Sequence, residues 1–400
     1  MADRRQPGVQ DGLRVTARLL HLDNLKIVLT TGVIVAHAAM TYGAVGTWVY
    51  EEPSLSHVGS VILGALVGVG VTFGLGLFFL IAGLLTAAPL ARRGPRRFLA
   101  SRLGRLGVPL AAYAVIVWPM LRWTVDRVQG DRQSLVGFYR AAFGRNHWQS
   151  LGTGPLWFVA ILLVVTTGWS LWRWARPASP AGDGDLEMTH LAIAAGTTAV
   201  GTFIVRIWFP IDSPQFLDLH VWLWPQSSSM FVLGAISGER DWQASVPDAM
   251  RRLCRRGVVG AGVVLGVMIL LSSGPDAFKG GWHWEAAGYA ACEGVFSVGV
   301  SLLVLDYFRR HHSGQSLYGR RLADAAYGAF VAQGPVLVLI ALVLRPVDVA
   351  GDVKFLLLAP AAVIGSFALA TGAVALNQRR GRQLAAQRGI ASDQPPGWSG

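Results

Sequence analysis

SVILGALVGVGVTFGLGLFFLIAGLLTAA, residues 60–88, carries no charged side chain. It exceeds the roughly 20 apolar residues that a helix needs to cross the hydrocarbon core of a bilayer. Its glycines (Gly64, Gly68, Gly70, Gly74, Gly76 and Gly83) are poor helix formers in water, but in lipid small residues let helix backbones approach closely, and the surplus length allows tilt or bending. Similar apolar runs recur along the chain. Together they predict ten membrane spans, at 24–45, 60–88, 107–121, 154–173, 189–209, 221–238, 257–273, 286–305, 323–344 and 354–376. The predicted fold class is therefore all-α, a polytopic integral membrane protein of about ten transmembrane helices.

Composition agrees. The 400 residues are 52% hydrophobic and only 14% charged, whereas a soluble globule carries about 25% charged residues. An ordinary cytosolic enzyme and a disordered chain are both disfavoured. The net charge of +12 invites a nucleic-acid reading, but the basic residues lie in short clusters between apolar runs, not on one polar domain. They read first as topology. With the N-terminus placed in the cytoplasm, most of the 35 Lys and Arg fall on that side, including the cluster RRGPRRFLASRLGRLG at 92–107. An even span number with both termini cytoplasmic, in the cell's inner (plasma) membrane, follows as the expectation. Residues 1–20 and 377–400 then form cytoplasmic tails, the last of them polar and loose, and 176–187 reads as a flexible loop by its Pro, Gly and Asp content. The N-terminus lacks the immediate apolar region and cleavage site of a signal peptide. Cys254 and Cys292, the two cysteines, make a disulfide framework or zinc cluster improbable.

Ionisable side chains within apolar runs are costly and often functional. His37 lies eleven residues after Lys26, about 16 Å along a helix, and imidazole can take and return a proton near neutral pH. It serves either as a proton-transfer group or as a structural contact between helices. Arg206 either snorkels to the headgroups or clamps an anionic substrate. Glu293 either orients a donor or pairs with His37 or Arg206. Glu285, Trp282, His283 and Trp284, and the mixed stretch Asp212, Gln215, Asp218, His220, Trp222 and Trp224, read by default as interfacial anchors, with sugar stacking as the other option. The Arg92–Arg105 cluster has the guanidinium density that phosphate recognition needs, and Arg102 and Arg105 share one helical face. No triad spacing, metal cluster, dinucleotide fingerprint or phosphate loop is visible.

Several segments together resemble the membrane acyltransferase-3 family, integral-membrane O-acyltransferases that modify glycans, lipopolysaccharide and antibiotics. LDNLKIVLTTGVIVAHAAMTYG (22–43) has the family's basic residue, ten intervening residues and histidine, at Lys26 and His37. FFLIAGLLTAAPLARRGPRRFLASRLGRLGVPL (78–110) is similar to its phenylalanine-rich, glycine-ended helix and Arg-x-x-Arg loop, at Phe78, Phe79, Gly83, Arg102, Arg105 and Pro109. GPLWFVAILL (154–163) resembles its Gly-x-Leu-Trp-Phe element, at Trp157. Weaker similarities lie at 224–242, 293–303 and 325–344. The family's late Tyr-x-x-Tyr-x-x-His pattern stands here as Tyr327, Phe330 and Gln333, and glutamine cannot carry a proton as histidine does.

The resemblance implies an acyltransferase domain over 21–376, with no permanently bound cofactor. Acyl-CoA, the donor substrate, would be held by Lys26, Arg97, Arg102 and Arg105. His37 would serve as general base or transient acyl carrier, and Arg206, Glu293 and Trp157 would support the substrates. A sugar or glycan hydroxyl would be the acceptor, glucan-modifying acetyl- and succinyltransferases being nearest in flavour. The expected partners are acyl-CoA, that hydroxyl and the lipid bilayer, with no nucleic acid and no metal. A proton-coupled transporter is the alternative that intramembrane His, Arg and Glu allow, although no paired internal repeat is seen. A purely structural membrane component is the third.

Overall fold

The structure, a computed structural model, describes residues 8–144, 152–177, 185–240, 242 and 246–387. Among the described residues all regular structure is helical. Helix α1 runs Gly8–Thr41, so most of the stretch expected as an N-terminal tail is helical. A loop leads to α2, His57–Arg102, whose first turn is capped by Ser56 accepting from the Gly59 N–H. At Gly94 α2 bends. Its φ of 71° is a conformation glycine adopts without a Cβ penalty, and Pro95 then withholds a helical donor.

Beyond Arg102 the helical path continues without a loop. It passes through a π turn at Leu103–Gly107, α3 (Val108–Ala112), a second π turn at Tyr113–Val117 and α4 (Trp118–Gln129). Gly130, at φ 109°, closes it. The remaining helices are α5 (Leu135–Ala142), α6 (Trp157–Ala175), α7 (Met188–Trp208), α8 (Trp224–Glu239), α9 (Asp248–Leu271), α10 (Trp284–His311), α11 (Leu317–Leu344) and α12 (Gly351–Gln387). Helix α12 passes well beyond 376, into the predicted tail. Residues 388–400, and 178–184 of the predicted 176–187 loop, lie outside the described residues.

Eight helical stretches among the described residues are long and apolar enough to cross a membrane, which corrects the expected ten. The predicted spans 60–88 and 107–121 both fall within the stretch His57–Gln129, because the arginine segment that was expected to be a loop is helical on both sides of the break at Gly94 and runs through the first π turn into α3. The predicted span 221–238 becomes α8, 16 residues long. At 1.5 Å per residue it extends about 24 Å, short of a full crossing, and it is wrapped by other helices, with Gln226, Ser227, Met230 and Phe231 fully buried. Large apolar side chains instead crowd the outside. On α9, Val259, Val263, Ile269, Leu270 and Leu271 are exposed, the pattern of a surface solvated by lipid tails.

Helix α8 packs most closely on α2, and glycine is the reason. A Cβ on Gly83 would run into the Phe231 carbonyl, one on Gly234 into the Leu80 carbonyl, and one on Gly238 would meet the Leu84 carbonyl oxygen at 2.8 Å. Backbone lies against backbone, so no side chain can give way. Two apolar clusters result. One gathers α2, α6, α8 and α10 around Phe79, Leu156, Ile161, Phe231 and Trp118. The other gathers α1, α11 and α12 around Ile34, Ala38, Tyr42, Trp48, Leu337 and Ala362. Overpacking of this kind costs about 1–3 kcal/mol. Gly234→Val should therefore lower the thermal midpoint of the detergent-purified protein clearly more than Gly260→Val on α9, where nothing stands within 4 Å of the added Cβ. Equal midpoints for the two variants would show that the α2–α8 contact is not tight.

Candidate active site

His37 sits one turn before the end of α1, at the seam between the two clusters. Counted from Leu20, where the apolar span begins, it lies about 25 Å along the helix, deep in the span and close to its far end. Its Nδ1 faces Gln333 Oε1 of α11 at 3.2 Å. An amide oxygen only accepts, so Nδ1 carries the hydrogen and the neutral ring keeps its lone pair on Nε2. Gln333 is 0% exposed. Tyr327, Phe330 and Gln333 follow one another at three-residue spacing along one side of α11. Phe330 packs edge-on against Phe158 at 5.7 Å between ring centroids, and Phe158 in turn meets Phe78 and Phe79.

One face of the His37 ring is covered by Trp48, 4.3 Å away between centroids. Trp48 comes from the α1–α2 loop, which is tied down at several points. Its own N–H donates to Glu51 Oε1 at 2.9 Å. Glu52 accepts from the Tyr50 hydroxyl at 2.8 Å and from Lys354 Nζ of α12 at 2.6 Å. Ser56 bonds the Asp352 carboxylate through both its N–H and its hydroxyl. Burial, together with the bond to Glu52, pushes the Tyr50 hydroxyl up to about 12, so it remains a donor throughout the physiological range. Lys354, 5% exposed, also donates to the Arg345 carbonyl.

Trp48 then meets Trp118 edge-on at 6.3 Å, which joins the two apolar clusters. The segment from Gly152 to Leu156 lies across Trp118. A Cβ on Gly154 would enter the indole ring, and the residue's φ of 49° also suits glycine. Trp157 follows at the start of α6 and stacks on His220, 4.6 Å between centroids and 23° from parallel. His220 is thereby linked to His37 through the Gly152–Trp157 segment, Trp118 and Trp48. It belongs to the α7–α8 connection, which holds Asp212, Leu217, Asp218 and His220, all the non-glycine residues with positive φ among those described.

The structure separates the remaining predicted site residues. Arg206 does not snorkel. It and Glu293 are each 2% exposed and paired at 2.7 Å between α7 and α10. The guanidinium lies between Trp222 and Tyr289, 5.2 and 5.3 Å from their ring centroids. Of the partners considered for Glu293, Arg206 is the one it meets. Lys26 pairs with Asp23, one turn before it on α1, at 2.6 Å. Arg97 is exposed. Arg102 lies over the Phe98 ring and reaches Thr86 Oγ1 at 3.4 Å. Arg105 projects from the first π turn and is exposed, within electrostatic reach of the Tyr327 hydroxyl. Six residues separate Tyr327 from Gln333, about 9 Å along α11. Trp282, Trp284 and Trp208 are exposed at helix ends, in keeping with interfacial anchoring, whereas Trp222 and His220 are drawn inward. Sequence reasoning missed Trp48 and Trp118 at the site and left His220 an anchor. A tryptophan in a short loop carries no signal of the histidine it will cover.

Residues 19–375 match the family model Acyl_transf_3, described as an acyltransferase domain. The chain belongs to this family. Neither the curated proteins nor the solved structures compared contain a match. For a polytopic membrane protein of an acyltransferase family, a histidine held by an amide and walled by aromatic rings is the natural candidate for the reacting group.

Two outcomes test these contacts. Gln333→Leu keeps the volume but leaves His37 Nδ1–H without its acceptor, so kcat for acyl transfer should fall about tenfold with KM little changed, the worth of one lost buried hydrogen bond. An unchanged kcat would remove Gln333 from the site. Glu293→Ala leaves the Arg206 charge buried and alone and should cost about 3–5 kcal/mol in unfolding experiments. The double variant Arg206→Leu/Glu293→Leu should recover most of that loss, and no recovery would mean that the charge was not the cause.

Proposed function

We propose that the protein is a membrane O-acyltransferase that moves an acetyl, succinyl or similar small acyl group from acyl-CoA to a hydroxyl of a sugar, glycan or other envelope or secondary-metabolite acceptor. The observation that carries this reading is the orientation of His37. Its Nδ1–H is fixed by Gln333 while Nε2 keeps a lone pair in a site walled by Trp48, in a chain of an acyltransferase family.

In this reading both termini and the arginine segment face the cytoplasm of a cell bounded by this inner membrane. The phosphates of CoA rest on Arg102 and Arg105, with Arg97 and Lys26 adding to the positive field at the entrance. Guanidinium forks suit phosphate oxygens. The thioester arm follows α11 from Tyr327 past Phe330 to Gln333. The acceptor enters from the opposite side, past Trp157 and His220. His37 Nε2 takes the hydroxyl proton as the oxygen attacks the thioester carbon, the carbon–sulfur bond breaks, and CoA leaves as the thiol. Glucan or polysaccharide acceptors suit the tryptophan-rich wall best.

The test uses purified protein in detergent with acetyl-CoA and succinyl-CoA. His37→Ala should lose at least about a hundredfold in acyl transfer, and Arg102→Ala with Arg105→Ala should weaken CoA binding at least about tenfold. Intact transfer by His37→Ala would overturn the base role. Unchanged CoA affinity in the paired arginine variant would overturn the phosphate clamp. Comparing the glycans and lipids of wild-type and deletion cells would identify the acyl group and the acceptor by the mass that disappears.

A further inference from the structure

The connection between α7 and α8 is costly to build. Leu217, Asp218 and His220 hold φ of 53°, 56° and 43°, a region that aspartate tolerates but that a residue such as Leu217 enters at about 1 kcal/mol or more. Strain of this kind persists only where surroundings enforce it, and here they do. Thr153 donates to the Leu217 carbonyl through its N–H at 3.4 Å and through its hydroxyl at 3.3 Å. The Gln215 side chain accepts from the Val221 N–H. Trp224 Nε1 donates to the Leu219 carbonyl at 2.9 Å. Ile211 N–H donates to the Lys279 carbonyl at 2.9 Å. Trp222, next but one to His220, is backed by the buried Arg206 guanidinium.

The product of this strain is the placement of one imidazole. His220 Nδ1 lies 2.7 Å from the Asp218 main-chain carbonyl, which only accepts, so Nδ1 bears the hydrogen and Nε2 is the working atom. The Asp218 carboxylate stands 3.7 Å from the same Nδ1. One face of the ring lies on Trp157. His37, oriented the same way by Gln333, stands on Trp48, which meets Trp118, and the segment that crosses Trp118 leads into Trp157 under His220. Two imidazoles, each with Nδ1–H tied to an oxygen, thus flank one run of aromatic rings.

We propose that His220 is the second proton-transfer residue of the reaction, the acid to the base His37, an inference that rests on the acyltransferase reading. His37 Nε2 takes the proton of the acceptor hydroxyl while its oxygen bonds to the thioester carbon. His220, as the imidazolium, keeps its Nε2 proton and hydrogen-bonds through it to the oxyanion of the tetrahedral intermediate. As the carbon–sulfur bond breaks, it gives that proton to the departing thiolate. The ester and the free thiol leave, and His37 passes the proton it took to His220, directly or through water, so charge and protons balance over the cycle. The Asp218 carboxylate, on the same loop, faces the His220 ring at 3.7 Å. Trp222 stands between it and Arg206.

The discriminating variant is His220→Asn, because asparagine is among the residues most tolerant of left-handed backbone and preserves the loop. Thiol release is measured in membranes of the expressing cells, which carry their own acceptors, with acetyl-CoA and with S-phenyl thioacetate. Phenylthiolate leaves without needing a proton. His220→Asn should lose about a hundredfold or more on acetyl-CoA, within the usual range for a general acid, and less than about tenfold on the phenyl thioester. An equal loss on both donors would reduce His220 to a structural part of the loop, and no loss on either would remove it from the reaction. His37→Ala separates the two readings. A base is needed with either donor, so both rates should collapse together. If His37→Ala retains turnover, the reaction assigned to the site fails. If it is inactive while His220→Asn keeps the wild-type ratio of the two rates, only the role of His220 fails.

Discussion

The hydrogen bond between His37 and Gln333 is the contact around which the structure is arranged. It links α1 to α11 inside a bundle where no bulk water can replace it, and it decides which imidazole nitrogen carries the proton. In a lipid-embedded core a polar side chain without a partner is expensive. A histidine there is retained only where its orientation is worth that cost. Gln333 does for His37 what a carboxylate or carbonyl does for many working histidines, but without introducing a charge. The amide therefore places no charge against the ring.

Around that bond the fold solves two packing problems differently. Between α2 and α8 it removes side chains altogether, so Gly83, Gly234 and Gly238 let carbonyl and amide surfaces meet. This close approach keeps the short α8 inside the bundle and brings the start of α8, with the loop before it, level with the site. Between α7 and α10 it does the reverse and buries a full ion pair. Arg206 and Glu293 neutralise each other, and the two aromatic faces replace part of the hydration that the guanidinium gives up. The pair is weak as a source of stability against an apolar substitute. It does give α7 a fixed end from which the strained connection departs, with the Gly281 N–H bonded to the Arg206 carbonyl.

Much of this was legible in the sequence, for reasons that are local. Long uncharged runs gave the membrane class, and the Lys26–His37 spacing with the Phe78–Arg105 segment gave the family. The span count was not legible. The arginines between 92 and 105 read as a loop, yet only Gly94 leaves helical geometry there, and the chain resumes its helical path at once and holds it to Gln129. The tryptophan-rich stretch at 221–238 had the hydropathy of a span but not the length. Arg206 near a predicted helix end read as a snorkelling residue because its partner lies 87 positions away on another helix. Pairings across a bundle leave no trace in one chain's periodicity.

The departure at Gln333 has a structural meaning that the sequence pattern hid. Read along the chain, Tyr327, Phe330 and Gln333 look like a motif that has lost its histidine. In three dimensions the same positions form one side of α11, running from the reach of Arg105 to His37, and each contributes by shape and hydrogen-bonding sense. A glutamine at the end of that row offers the neutral His37 ring an acceptor that does not itself titrate, which a histidine there would not do, since its own protonation would turn an acceptor into a donor. The trade is a proton carrier for a fixed orientation. Any second imidazole at the site must then come from outside α11, and the strained α7–α8 connection presses one, His220, against Trp157.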